Sequence, residues 1–176
     1  MNYIRGQDID NADGNKITDS EARITIHGDV VHSKPLPINY GGSTGVTVFY
    51  GSNDGMYHSV NAQTGVERWS FVAKEHYGKL ARIKDNSPSI KYPNQTTDVA
   101  SSNTPKDYFF DGSTASLTYY NSSGAITKAW IYPTMRRGGR MLYALNVTDP
   151  TSPQFMWKKG CASSDDTTCD TGFTGI

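Results

Sequence analysis

Alternation of apolar and polar positions is clearest over residues 46–71, where it has period two. Val46, Val48 and Tyr50 alternate with Thr47 and Phe49, as expected of a strand built from β-branched and aromatic residues. Asp54-Gly55 supplies a two-residue hairpin turn, because both residues accept the positive φ of primed turns. Residues 56–60 read as the return strand and residues 61–65 as a second turn, followed by a third strand anchored by Trp69. Such a unit cannot bury both faces alone, which points to a second copy. Residues 140–157 supply one: His58-Ser59-Val60-Asn61 aligns with Tyr143-Ala144-Leu145-Asn146. In both places a strand ends in Asn, a Thr-containing turn follows, and a strand carrying Trp comes next. Between the copies, residues 117–120 and 125–132 read as a hairpin across Gly124, with Trp130 expected to pack as Trp69 does. Repeated units of this kind predict an all-β chain of antiparallel sheets, an incomplete β-propeller. A β-sandwich fits the same strands and turns.

The remaining stretches divide the chain into a lead-in segment, residues 1–27, and a partial propeller, residues 28–176. Within the latter we expect a blade at about 46–71, an insertion at about 73–107, blades at about 108–159 and the start of another at about 172–176. The insertion is rich in Ser, Pro, Asn, Thr and Lys, a composition that does not build a core. Residues 74–80 are expected to form one helical turn, with His76 on the surface. Pro35 and Pro37 limit strand pairing before the first blade.

Several clusters carry candidate chemistry. Asp8, Asp10, Asp13, Asn15 and Asp19 form an acidic loop that could offer Ca²⁺ the oxygens it requires. The spacing is not that of an EF-hand, since Ala12 takes the third ligand position and Asp13 the place of the turn glycine. A solvated acidic loop accounts for the same residues and is the simpler expectation. Asp29, His32 and Ser33 invite a triad reading, but triad members normally come from separate segments, so a polar corner is preferred. Arg136, Arg137 and Arg140 surround Gly138-Gly139, where backbone amides could approach an anion. Cys161 and Cys169 bracket a short polar loop and are expected to form a disulfide in an oxidising compartment, worth ~2–3 kcal/mol by loop closure.

Composition narrows the classes. The formal net charge is zero and 19% of residues are charged, so no basic field draws the chain to nucleic acid or to an anionic membrane. No apolar run approaches the ~20 residues of a membrane-spanning helix. Eleven Tyr against six Phe suit half-buried sheet faces, and seventeen Gly suit many turns.

Four motifs occur in a fixed order: Gly28-Asp29-Val30-Val31-His32-Ser33-Lys34-Pro35, the run from Tyr50-Gly51-Ser52-Asn53-Asp54-Gly55 to Trp69, Tyr108-Phe109-Phe110-Asp111-Gly112-Ser113, and the run from Gly138-Gly139-Arg140 to Asp149-Pro150. Together they resemble the C-terminal propeller domain of the type IV pilus tip-associated adhesins, the PilC/PilY family. The resemblance covers residues 5–159. It implies a non-catalytic module acting in pilus biogenesis and in attachment to host or abiotic surfaces. The implied partners are minor pilins or pilus tip proteins, and the implied location is the pilus tip or outer membrane surface. The family carries calcium loops in its propeller, none of which maps residue by residue onto the acidic loop. In this family the glycine-rich turn before Arg140 leads into a strand and implies no anion. Residues 1–5 lack the apolar core of a signal peptide, whereas the resemblance implies export, so the chain reads as a fragment. The middle motif alone also resembles the blades of quinoprotein dehydrogenases. That alternative needs a cofactor pocket with a general-base Asp, and Asn53 and Asp54 are better explained as turn residues.

Overall fold

The structure is a computed structural model, which describes residues 2–9, 11, 14, 21–23, 26–97, 99–163 and 166–175. Two four-stranded antiparallel sheets dominate it. The first takes β1 (Leu36–Asn39), β2 (Val46–Gly51), β3 (Tyr57–Asn61) and β4 (Glu67–Phe71) in sequence order. A helix, α1 (Tyr77–Asp85), and two short parallel strands, β5 (Ile90–Lys91) and β6 (Thr104–Pro105), fill the insertion. The second sheet takes β7 (Ala115–Tyr120), β8 (Ile126–Tyr132), β9 (Arg140–Asn146) and β10 (Gln154–Cys161), again in sequence order. The all-β antiparallel class therefore holds, as two sheets rather than a closed ring.

The repeat in the sequence is a repeat of position. Strands β3 and β9 are each third in their sheet, and each ends in an Asn whose side chain closes the next turn. Asn61 Oδ1 accepts the N–H groups of Gln63 and Thr64, and Asn146 Oδ1 accepts the N–H of Thr148. Pro37 does not prevent pairing. It sits opposite Val48 on β1, an edge strand, where a missing N–H costs least.

Register decides which side chains meet. Pairings of Leu36 with Phe49, Phe49 with Ser59 and Tyr57 with Phe71 put these side chains on one face of the first sheet. Ile131 opposite Leu145 does the same in the second. The two faces press together, burying Ile38, Phe49, Tyr57, Ile131, Met141, Tyr143 and Leu145. Between them lies the ring of Phe110, edge-on to Tyr57 and to Tyr143 at 5.6 Å each and 5.8 Å from Phe71. Tyr40 Oη donates to the Val147 carbonyl at 2.6 Å and Trp69 Nε1 to the Pro150 carbonyl at 2.8 Å, tying the sheets at their rim.

Trp130 departs from the expected packing. Ala129 and Ile131 face the core, so Trp130 must face away; it stacks edge-on with Tyr119 under the Lys128 ammonium. Leu117, opposite Trp130, and the Tyr132–Trp157 pair extend an aromatic outer face on the second sheet. The insertion is more ordered than its composition predicts. Helix α1 runs through Asp85, and Arg82 on it binds the Pro88, Thr104 and Pro105 carbonyls and the Asp107 carboxylate. No helix among the described residues is long and apolar enough to cross a membrane.

Residues 109–112 run between two glycines that cannot carry a side chain. A Cβ on Gly51 would fall 2.0 Å from the Phe110 carbonyl oxygen, and one on Gly138 1.6 Å from that of Phe109. Gly138→Ala should destabilise the chain by roughly 3 kcal/mol or more through displaced backbone, and Phe110→Ala by about 3–5 kcal/mol through the cavity left. Urea unfolding of both variants beside an exposed control such as Ser122→Ala tests this, and a loss below about 1 kcal/mol for either would contradict the packing described.

Candidate functional site

Polar side chains converge where residues 27–33 cross the rim of the first sheet. The Asp54-Gly55 turn presents the Asp54 carboxylate, which accepts the N–H of Gly28 at 3.1 Å and that of Met56 at 3.0 Å. Asn53 Oδ1 accepts the Asp29 N–H, and Lys106 pairs with the Asp29 carboxylate at 2.7 Å. His32 donates through its backbone N–H to Asp111 and places Nδ1 2.8 Å from the same carboxylate. Ser33 Oγ accepts the Gly51 N–H at 2.9 Å. Asp29, His32 and Ser33 thus bind three different partners. They form a pinning corner and do not act on one another.

Beside this corner sits His58, on the face of the first sheet opposite the core. Its Nε2 lies 3.0 Å from Asp54 and 3.1 Å from Ser52 Oγ, and its Nδ1 lies 3.3 Å from Glu67. Burial alone would lower its pKa, but the hydrogen bonds and charges of Asp54 and Glu67 outweigh burial and push it up to about 9. For Asp54, burial acts to raise the pKa, and the bonds from His58, Ser52 and Gly28 overcome it, bringing it to about 2. The result is an imidazolium held between two carboxylates at neutral pH. The rings of His27 and Tyr50 lie against it at 4.9 and 5.2 Å. His27, Asp54 and His58 offer atoms close enough together for a cation, but the two imidazoles stack with 28° between their planes. Both His58 nitrogens already face carboxylates. These residues suit a structural ion cluster better than a metal centre.

A cavity of about 290 Å³ opens next to the corner, lined by His27, Asp29, Asn53, Asp54, Arg82 and Lys106 among others. Four of its charged groups form two pairs, Lys106 with Asp29 and Arg82 with Asp107.

The other sequence-derived positions fall elsewhere. Of the five candidate calcium ligands, Asp8 alone is described, and Asp10, Asp13, Asn15 and Asp19 lie outside the described residues. Asp8 is buried; its N–H donates to the Glu21 carbonyl at 2.7 Å, while Gln7 bridges Ala22. These contacts form a stem that brings the two ends of the acidic loop together. Cys161 and Cys169 are joined in a disulfide. The three arginines separate: Arg140 binds Asp166 at 2.5 Å and the Ser163 carbonyl, Arg137 lies over the Tyr108 ring at 5.5 Å, and Arg136 is exposed.

His76 corrects the sequence reading. It is 1% exposed, not on the surface, wedged edge-on against Phe109 and Phe110 at 4.9 and 5.1 Å. Burial lowers its pKa to about 4 against the opposing pull of the Gly55 backbone, and neither ring nitrogen makes a hydrogen bond of good geometry. Its place immediately before α1 gave little signal, because periodicity over nine residues does not resolve which side of such a short helix faces the core.

Two antiparallel four-stranded meanders, with a segment pinned to the rim of the first by paired charges, define an all-β module. Among curated proteins, the chain is 30% identical over 94% of its length to the type IV pilus biogenesis factor PilY1 of Pseudomonas aeruginosa (strain UCBPP-PA14). It is 28% identical over 92% of its length to a type IV pilus biogenesis factor PilY1 homolog of Xylella fastidiosa (strain Temecula1 / ATCC 700964). The chain is homologous to the PilY1 type IV pilus biogenesis factors, and it spans 14% of the length of each of these two relatives. Among solved structures, the P. aeruginosa PilY1 C-terminal domain aligns with a TM-score of 0.41 at 23% identity, over 66% of this chain and 19% of that one. No protein-family profile matches the chain.

The charge cluster sets a pH dependence. Because the folded pKa of His58 is raised, its contribution is complete below the unfolded value of 6.5 and is lost as pH rises through about 9. Because that of Asp54 is lowered, its contribution is present above 3.8 and is lost as pH falls through about 2. Stability should therefore decline by roughly 2–3 kcal/mol between pH 6.5 and 9, and His58→Gln should flatten that decline. Urea midpoints at the two pH values check it; an equal slope in the variant would place the titrating group elsewhere.

Proposed function

We propose that this chain is a non-catalytic section of a β-propeller within an exported type IV pilus biogenesis factor. It acts in pilus assembly and in attachment to host or abiotic surfaces, at the pilus tip or outer membrane surface, alongside minor pilins or pilus tip proteins. The observation that carries this reading is homology to the PilY1 factors along 94% of the chain, at 30% identity to one of them. The aromatic outer face of the second sheet supports the propeller part. Leu117, Tyr119 and Trp157 are 40%, 48% and 38% exposed there, an apolar surface of the kind a neighbouring blade covers. The pinning corner and the paired charges support a scaffold rather than a reaction centre.

We further propose Ca²⁺ as the ligand of the acidic loop. Carboxylates and an amide oxygen on a loop closed at its base suit a hard cation, with Asp8, Asp10, Asp13, Asn15 and Asp19 as the holding residues. Bound there, the ion would stiffen the loop by drawing its carboxylates together.

Two measurements test these readings. Removing residues 28–159 from the full-length gene in its own host should abolish surface pili and twitching while the rest of the protein is still exported; normal piliation would overturn the assembly role. Calorimetric titration with Ca²⁺ should show saturable binding, roughly in the 10⁻⁴–10⁻³ M range of extracellular modules, that disappears when Asp8, Asp10 and Asp13 are changed to Ala. Heat that persists in the triple variant would move the ion to another place.

A further inference from the structure

A second cavity, of about 550 Å³, lies between the start of α1, the turn at Arg136–Gly138 and the disulfide loop. Its size is that of small-ligand sites. The chain as a whole is neutral, yet the described residues lining this cavity carry Lys79, Arg136, Arg137 and Arg140 against Glu75 alone. That carboxylate is already engaged by Lys158 and by the Tyr143 hydroxyl. Arg140 is held by Asp166 and Lys79 by Asp107. Among the described residues, the Arg136 side chain has no hydrogen bond or ion pair, and that of Arg137 has only the face of Tyr108. Guanidinium forks of this kind pair two oxygens at once, whether of a planar carboxylate or of a tetrahedral oxyanion. Met135 and Met141 give the same cavity an apolar wall.

His76 provides an independent sign. Its ring lines the cavity and is 1% exposed; neither nitrogen makes a hydrogen bond of good geometry, and the nearby Gly55 backbone can serve one of them at most. A buried polar group left unsatisfied costs free energy, and a ligand that supplies the missing partner recovers it. Arg136 is also held at a φ of 47°, a region that costs a non-glycine residue energy and that recurs at binding sites.

We propose that this cavity is an oxyanion-binding site, in which Arg136 and Arg137 pair with the anion and His76 hydrogen-bonds the ligand. The oxyanion is either a free inorganic ion or a carboxylate carried on an apolar stem that lies against Met135 and Met141. The site is separate from the acidic loop and from the pilus role, and its test does not depend on either.

The test is titration of the chain, at constant ionic strength, with sulfate, with N-acetyl-leucine and with N-acetyl-leucinamide. Heat and the ring resonances of His76 are both followed. The expected result is saturable binding of one or both anions, none of the amide, and a shift of the His76 resonances on binding. Affinity should fall tenfold or more in Arg136→Gln/Arg137→Gln and by a smaller factor in Arg136→Gln. Both side chains are exposed, so the fold should survive, which an unchanged thermal midpoint verifies. Equal affinity for the two anions identifies the inorganic source, and preference for N-acetyl-leucine identifies the stemmed carboxylate. Absence of saturable binding, equal binding of the amide, undiminished binding by both variants, or a His76 ring that does not respond would each overturn the proposal.

Discussion

The structure depends on one aromatic ring. Phe110 belongs to neither sheet, yet it fills the space where Tyr57 and Phe71 of the first meet Tyr143 of the second. It can do so because the backbone on either side of it is pressed against Gly51 and Gly138, neither of which could hold a methyl group. Phe109 reaches its place with a φ of 52°, a conformation that the surrounding packing must over-determine. The segment is held at its end by Asp111, which binds His32. The core is therefore a layer of rings inserted between two sheets, with the insertion point fixed by glycines.

Charge organises the rim in a different way. Asp29, Asp54 and Asp111 each receive a backbone or side-chain donor from another segment. His58 is the strongest case, since its cation sits between Asp54 and Glu67 with almost no exposure to water. Such a cluster is costly to bury and costly to break. It specifies how residues 27–33 lie on the sheet more than it adds to overall stability.

Much of this was legible in the sequence because it follows from period-two alternation and turn chemistry. The β2–β3–β4 unit, its second copy at β9 and β10, and the Asn that closes the turn after each third strand all follow from residues that act within a few positions of themselves. The ordered motifs also carried the family resemblance, which the PilY1 homology bears out. What was not legible depends on distant partners. Trp130 resembles Trp69 in its neighbours, but one step of register turns it to the other face. His76 looked like a surface residue because Phe109 and Phe110, which bury it, lie more than thirty positions later. The insertion looked unstructured because its order comes from a single guanidinium, that of Arg82, gathering three carbonyls.

The wide spacing of the two sheets along the chain has a consequence for biosynthesis. Phe49, Tyr57 and Phe71 are finished well before Phe110, and Leu145 follows ~70 residues after Phe71. At ~5–20 residues per second, the apolar face of the first sheet waits roughly 4–15 s for its cover. During that interval it presents a sticky apolar surface to its surroundings. A nascent chain of this design gains from being kept extended until the second sheet has been made, so its folding is timed by the arrival of the last strand rather than by the speed of the first hairpin.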